Sequence, residues 1–179
     1  EDTGNEQFIL SCLNGLGIIN RRKGDYKAAA QYLEKATTYF SDSIDVQNKG
    51  AVLSNLSNVY SRLNQFSLAY EKIYEGLKYY EEAGFTRGVG LAYGNLGILH
   101  KNHEQYDEAI TYFHKSLDIL EKKNDLRGQY TAYNNLSNIY TNQENHLLAL
   151  NQNKKQLDIA EQLAADDLIV ISKINRAGS

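Results

Sequence analysis

The sequence predicts an all-α fold, a right-handed solenoid of stacked antiparallel helix pairs. Three observations carry that reading. Leu16, Leu56, Leu96 and Leu136 recur at a constant step of forty, and Ala29, Ala69, Ala109 and Ala149 recur at the same step. Proline is absent from all 179 residues, and Ala, Leu, Glu, Lys, Gln and Asn fill long stretches without β-branched runs, which favours helix almost throughout. Self-similarity at this period marks an array in which each unit buries its apolar face only against its neighbours.

The register divides residues 1–179 into one domain of four units, at about 5–44, 45–84, 85–124 and 125–164. Each unit breaks once in the middle, at Lys23-Gly24-Asp25, Leu63-Asn64-Gln65, His103-Glu104-Gln105 and Gln143-Glu144-Asn145. Gly, Asn and other polar residues there suit a tight turn, so each unit is two helices. First helices carry a buried stripe at i, i+3 and i+7, as in Leu53, Leu56 and Tyr60. Second helices are expected over about Tyr26–Phe40, Phe66–Ala83, Tyr106–Lys123 and His146–Leu163, opening on the column Tyr26, Phe66, Tyr106 and His146. Gly84 and Asn124 suit the left-handed residue that closes a helix.

The alanine column marks the crossing of the two helices of a unit, where a bulkier side chain overpacks the contact. Gly17, Ser57, Gly97 and Ser137 are the small residues on the opposing helix. In the fourth unit Asn153 and Gln156 stand where apolar or small residues are expected. Residues 166–176 read as a ninth helix with Leu168, Ile169, Val170, Ile171 and Ile174 apolar, capping the stack or opening a partial repeat.

The pattern is similar to the tetratricopeptide repeat, whose signature is W-x2-L-G-x2-Y, then A-x3-F, then P. Tyr93-x2-Leu96-Gly97-x2-His100 followed by Ala109-x3-Phe113 carries the resemblance, as does Leu53-x2-Leu56-Ser57-x2-Tyr60 followed by Ala69-x3-Ile73. The departures are the period of forty, no tryptophan and no closing proline. The longer period resembles the variety found in spindle-orientation scaffolds of the LGN type and in bacterial sensor kinases and regulators.

The resemblance implies a non-catalytic module whose first helices line a concave groove for a peptide segment of a partner, within a larger signalling or regulatory protein. It also implies an alternative, a receptor for a small signalling peptide or ligand that controls an attached kinase or DNA-binding region. Asparagines at the matching positions of the family hydrogen-bond the main chain of an extended peptide. Here that points to Asn14, Asn55, Asn58, Asn95, Asn134, Asn135 and Asn138, with Arg21, Arg22, Arg62 and Lys101 near the same face. An amide side chain offers both donors and acceptors to a backbone, and helix interiors do not otherwise favour asparagine. The lysines of a chaperone-type carboxylate clamp are missing: Asn14, Ser54, Gly94 and Asn134 hold their places.

Other chemistries find little support. The net charge is −3 with the basic residues scattered, so nucleic acid is not expected as a partner. No stretch has the length of a membrane span, and Glu1-Asp2-Thr3-Gly4-Asn5 is no signal peptide. The single Cys12 forms no internal disulfide; it favours the cytoplasm, with the periplasm open for an exported or membrane-anchored parent. The lack of methionine reads as a piece excised from a longer protein. No nucleophile, phosphate-loop or cofactor motif is present, and Tyr93 breaks the dinucleotide spacing of Gly88, Gly90 and Gly94. His100 and His103 share a helix face, but His100 occupies the column of Tyr60 and Tyr140, so packing is expected over metal binding. Arg87 and Arg127 stand at starts of first helices, against the helix dipole, and are expected to pair with Glu81, Glu82 or Glu121, or to hold an anion.

Overall fold

The computed structural model describes residues 3–42, 44–164 and 166–177. Among them the chain is helical, with α1 (Thr3–Lys23), α2 (Tyr26–Thr37), α3 (Val46–Arg62), α4 (Phe66–Glu82), α5 (Thr86–Asn102), α6 (Tyr106–Lys122), α7 (Leu126–Asn142), α8 (His146–Gln162) and α9 (Asp166–Ala177). Each helix packs on the next in sequence from α1 to α9. First helices also pack closely on one another from unit to unit, α1 with α3, α3 with α5 and α5 with α7, whereas among the described residues the backbones of second helices stay farther apart and α4 meets α6 through side chains, the Tyr74 and Tyr112 hydroxyls lying 3.1 Å apart. The units therefore fan apart on the side of α2, α4, α6 and α8.

The turns inside the units explain the period. Gly24, Asn64, Glu104 and Glu144 take the left-handed conformation at φ 83°, 58°, 59° and 58°. The next amide in each turn reaches back to a carbonyl five residues earlier, as in Gln65 N to Tyr60 O at 2.9 Å and Gln105 N to His100 O at 2.9 Å. That is the bond pattern that closes a helix on a left-handed residue. Gly84 and Asn124 end α4 and α6 in the same conformation, as expected, and Ala164 does so after α8. The next helices then start on side-chain caps where the sequence supplies one: Asp25 accepts from Ala28 N, Asp45 from Gln47 N, Asp125 from Gly128 N and Asn145 from Leu148 N.

Packing follows the columns. Ala29, Ala69, Ala109 and Ala149 are fully buried, and Leu56, Leu96 and Leu136 at most 1% exposed. Leu16 is the exception at 40% exposed, because no helix covers the outer side of α1 at this end of the stack. The small column works in two ways. At Gly17 an added Cβ would lie 2.5 Å from Leu33, and at Gly97 2.8 Å from the Phe113 ring, so glycine admits a large partner. At Ser57 and Ser137 the residues in the register of Leu33 and Phe113 are Ile73 and Asn153, and the serine hydroxyl bonds the alanine-column carbonyl, Ser57 to Ala69 at 2.7 Å and Ser137 to Ala149 at 3.4 Å.

Two expectations need correction. The helix α2 stops at Thr37 and not near Phe40; the Thr37 and Thr38 hydroxyls bond the carbonyls of Glu34 and Lys35, and the chain turns so that Ile44 enters the core. Arg87 pairs with Asp125 at 2.7 Å, not with Glu81, Glu82 or Glu121, and Glu121 instead accepts from the Tyr133 hydroxyl. Asp125 thus caps α7 through one oxygen and holds Arg87 of α5 through the other.

The ninth helix forms as expected, but its Val170, Ile171 and Ile174 are 47–65% exposed. Ser172 is fully buried and donates to Leu168 O, and Asn175 meets Asn134. Asn153 and Gln156 are buried in α8 because they serve this contact: Asn153 donates to Asn175 O at 3.1 Å and Gln156 to Asn134 Oδ1 at 3.0 Å. The polar residues that weaken the fourth unit's apolar pattern are thus the surface on which α9 docks.

Candidate partner-binding face

The asparagines on first helices fall into two groups. Four are engaged within the chain. Asn55 donates to Asn14 Oδ1 at 2.9 Å, linking α3 to α1. Asn134 accepts from Gln156 and Asn175, and Asn135 is buried, donating to Thr131 O and accepting from Lys101 Nζ. The bonds to Asn14 and Lys101 join successive first helices, as does Asn102 to Ser61 at 2.9 Å. Asn58, Asn95 and Asn138 form the second group: they bond no other described residue, and Asn58 and Asn95 face the same cavity.

That cavity, about 300 Å3, lies across the C-terminal halves of α1, α3 and α5 and is lined by Arg21, Tyr26, Asn58, Arg62, Asn95, Ile98 and Asn102. It contains no carboxylate. Arg21 Nε is buried without a hydrogen-bond partner, and neither Arg21 nor Arg62 joins an ion pair among the described residues. Lys101 stands beside Asn102 in α5, half-buried; burial, and secondly the charge of Arg62, hold its ammonium below the ordinary lysine value. Two cations thus line the cavity without a carboxylate among its lining residues, and a third, Lys101, lies close enough to feel the charge of Arg62.

A second, smaller cavity of about 90 Å3 opens between α5 and α7 with α6 as its floor. Its walls are apolar, from Leu91, Ile98, Phe113, Leu120 and Ala132, and it exists partly because Gly94 has no side chain where the other units carry Asn14, Ser54 and Asn134. Asn95 and Ile98 belong to both cavities. The sequence pointed to Asn58, Asn95, Arg21, Arg62 and Lys101; it gave no reason to single out Ile98 and Asn102. Their signal was positional, since Ile98 shares a column with Asn58 and Asn102 with Arg62.

The histidines are absorbed by packing. His100 stacks on Tyr112 at 5.0 Å and its Nδ1 lies 2.8 Å from Gln105 Oε1, while His103 stacks on Phe66 at 4.4 Å. Among the described residues no three His, Cys, Asp or Glu side chains are grouped to hold a metal ion, and no helix is long and apolar enough to cross a membrane.

Family models described as tetratricopeptide repeat match residues 9–38 and 88–162. The chain belongs to the tetratricopeptide repeat family. The match spans the first, third and fourth units, and members of this family typically serve as protein-interaction modules. Solved structures agree on the fold. Aspartyl phosphate phosphatase F from Bacillus subtilis superposes with a TM-score of 0.83 at 14% identity, over 99% of this chain and 45% of that one. BtubC (BKLC) from P. vanneervenii gives 0.73 at 21% identity, over 93% and 69%. A kinesin light chain with tetratricopeptide-like repeats from Podosopora anserina gives 0.58 at 14% identity, over 94% and 95%. The chain thus spans less than half the length of the phosphatase and about two-thirds of BtubC. No curated protein matches it.

Proposed function

We propose that this tetratricopeptide domain is a non-catalytic module that binds an extended peptide segment of a partner protein along α1, α3, α5 and α7, as the docking or sensing part of a larger signalling or regulatory protein. Close packing of successive first helices, with the backbones of the second helices farther apart, supports reading that face as the concave one. The observation that carries the reading is the pair Asn58 and Asn95. Their amides line one cavity on that face and bond nothing else among the described residues, although a half-buried amide normally finds a partner. An extended main chain supplies the carbonyls and amides they lack. Asn138 continues the row one unit further on. Asn14 and Asn55, Asn134, and Asn135 with Lys101 have a scaffolding part, bracing neighbouring helices so that the open amides are presented at fixed spacing.

The test is a nuclear magnetic resonance titration with a pooled library of twelve-residue peptides. Shifts are expected on α1, α3, α5 and α7, including the side-chain amides of Asn58 and Asn95. Each of Asn58→Ala and Asn95→Ala should weaken binding several-fold, since a neutral hydrogen bond is worth about 0.5–1.5 kcal/mol net. Shifts confined to α2, α4, α6 and α8, or no binding by a folded domain, would overturn the reading.

A further inference from the structure

We infer that the segment bound on this face carries an acidic side chain for the Arg21 and Arg62 cavity and, a few residues away, a small aliphatic side chain for the cavity beside Gly94. The inference rests on the peptide-binding reading above and names the chemistry of the ligand.

Charge selects the first element. Arg21 and Arg62 come from successive units, α1 and α3, and converge on one cavity whose lining has no carboxylate. A guanidinium with a buried, unpartnered Nε is costly in the free protein, and a carboxylate that accepts from it removes that cost. The half-buried Lys101 next to the cavity adds a third positive charge, so the potential favours an anion beyond what one pair would give. Asn58 and Asn95 supply further donors without competing charge.

Shape selects the second element. The neighbouring cavity is walled by aliphatic side chains and the Phe113 ring, and at about 90 Å3 it accommodates an aliphatic side chain of valine or leucine size and not an aromatic ring. Gly94 keeps it open: the Cβ of any other residue would sit 3.2 Å from Ser116 Oγ and occupy the mouth.

The two cavities meet at Asn95 and Ile98, on either side of α5. Neighbouring helix axes are spaced about 8–10 Å, and an extended chain advances about 3.3 Å per residue. The two side chains are therefore roughly three residues apart, and Asn95 lies where it meets the main chain between them.

The experiment measures fluorescence anisotropy with labelled, C-terminally amidated twelve-residue peptides, Ser/Asn-rich, carrying one Glu and one Val two, three or four positions apart. Amidation leaves the side chain as the source of carboxylate. With the wild-type domain, Glu→Gln in the best peptide should weaken binding about tenfold or more, the range of a well-placed charge pair. With Arg21→Gln/Arg62→Gln the same peptide change should make no difference. Val→Ser in the peptide should weaken binding to wild type severalfold and be without effect on Gly94→Asn, which copies Asn14 and Asn134, or on Gly94→Ser, which copies Ser54; melting curves establish that the variants are folded. The inference is overturned if peptides bind but the Glu→Gln or Val→Ser losses persist undiminished in those variants. If no peptide of any composition binds the folded domain, the peptide-binding reading falls and this inference with it.

Discussion

The Ser57 hydroxyl donates to the carbonyl of Ala69 at 2.7 Å, across the crossing of α3 and α4. The bond exists because both columns are small: Ala69 is fully buried and Ser57 2% exposed, so the two backbones approach within reach of a side chain with one heavy atom beyond Cβ. Ala69→Leu and Ala109→Leu are therefore expected to lower stability by about 1–3 kcal/mol through overpacking. Ala28→Leu, one residue before the column and partly exposed, should change it by no more than about 0.5 kcal/mol. Urea unfolding of the three variants decides it, and equal shifts would mean the crossing lies elsewhere.

The two solutions of the small column should be exchangeable only as pairs. Gly97 faces Phe113 with no room for a Cβ, whereas the residue in that register for Ser57 is the smaller Ile73. Gly97→Ser alone should destabilise by about 1–3 kcal/mol, and Phe113→Ile alone should also destabilise by leaving space. Together they recreate the second unit's pair, so the double variant should lose clearly less than the sum of the singles. Additive losses would argue that the two positions are not in contact.

Asp125 joins two units by using its carboxylate oxygens separately, one as the cap of α7 and one on Arg87. Asp125→Asn keeps the cap and loses the ion pair, which is mostly a surface contact because Arg87 is half exposed; the expected cost is below about 1 kcal/mol. Asp125→Ala loses both and should cost about 1–2 kcal/mol. Thermal unfolding in low and high salt separates the parts, since only the ion-pair share fades with salt.

The architecture was legible because helix, turn and crossing each impose a residue type at a fixed place in every unit. Ala69, Gly84 and Leu96 are read from the sequence for reasons that hold whatever surrounds the unit. What was illegible depends on a neighbour. Leu16 has the core residue's identity but no helix to cover it, and Asn153 and Gln156 look like defects until Asn134 and Asn175 are placed beside them. The asparagines illustrate the same limit: spacing put Asn95 and Asn135 on equivalent faces, yet Lys101 reaches Asn135 while no described residue bonds the Asn95 side chain. The cavity at Gly94 was equally hidden, because it is made by the lack of a side chain.

The inner turns carry a removable strain. Glu104 and Glu144 sit at φ 59° and 58°, a conformation costing a residue with a Cβ about 1–2 kcal/mol, and both are exposed, with no ion pair among the described residues. Glu104→Gly gives back part of the gain through the greater freedom of the unfolded chain, roughly 0.4–1 kcal/mol. The net should be a stabilisation of about 0.5–1 kcal/mol, read as a higher urea midpoint with unchanged slope. Asn64→Gly should gain less, since asparagine tolerates this conformation better.

Lys101 reports on the charge of the cavity wall. Burial is the larger cause of its lowered pKa and Arg62 the smaller, so Arg62→Gln should raise the value without returning it to the ordinary lysine range near 10.4. The sign for stability follows from proton binding: between the folded pKa and the unfolded one the unfolded chain holds more protons, so the cost of keeping Lys101 charged is fully present below the folded pKa and is relieved as pH rises through that window. A carboxylate bound beside Arg62 acts in the opposite sense, favouring the charged ammonium. Titration of the Lys101 side chain by carbon-detected magnetic resonance should therefore show two differences: a higher value in Arg62→Gln than in the free wild type, and a higher value in the wild type saturated with the Glu-containing peptide than with its Gln counterpart. Identical values with the two peptides would mean that the acidic side chain binds away from this wall, even if the peptide lies on the same face.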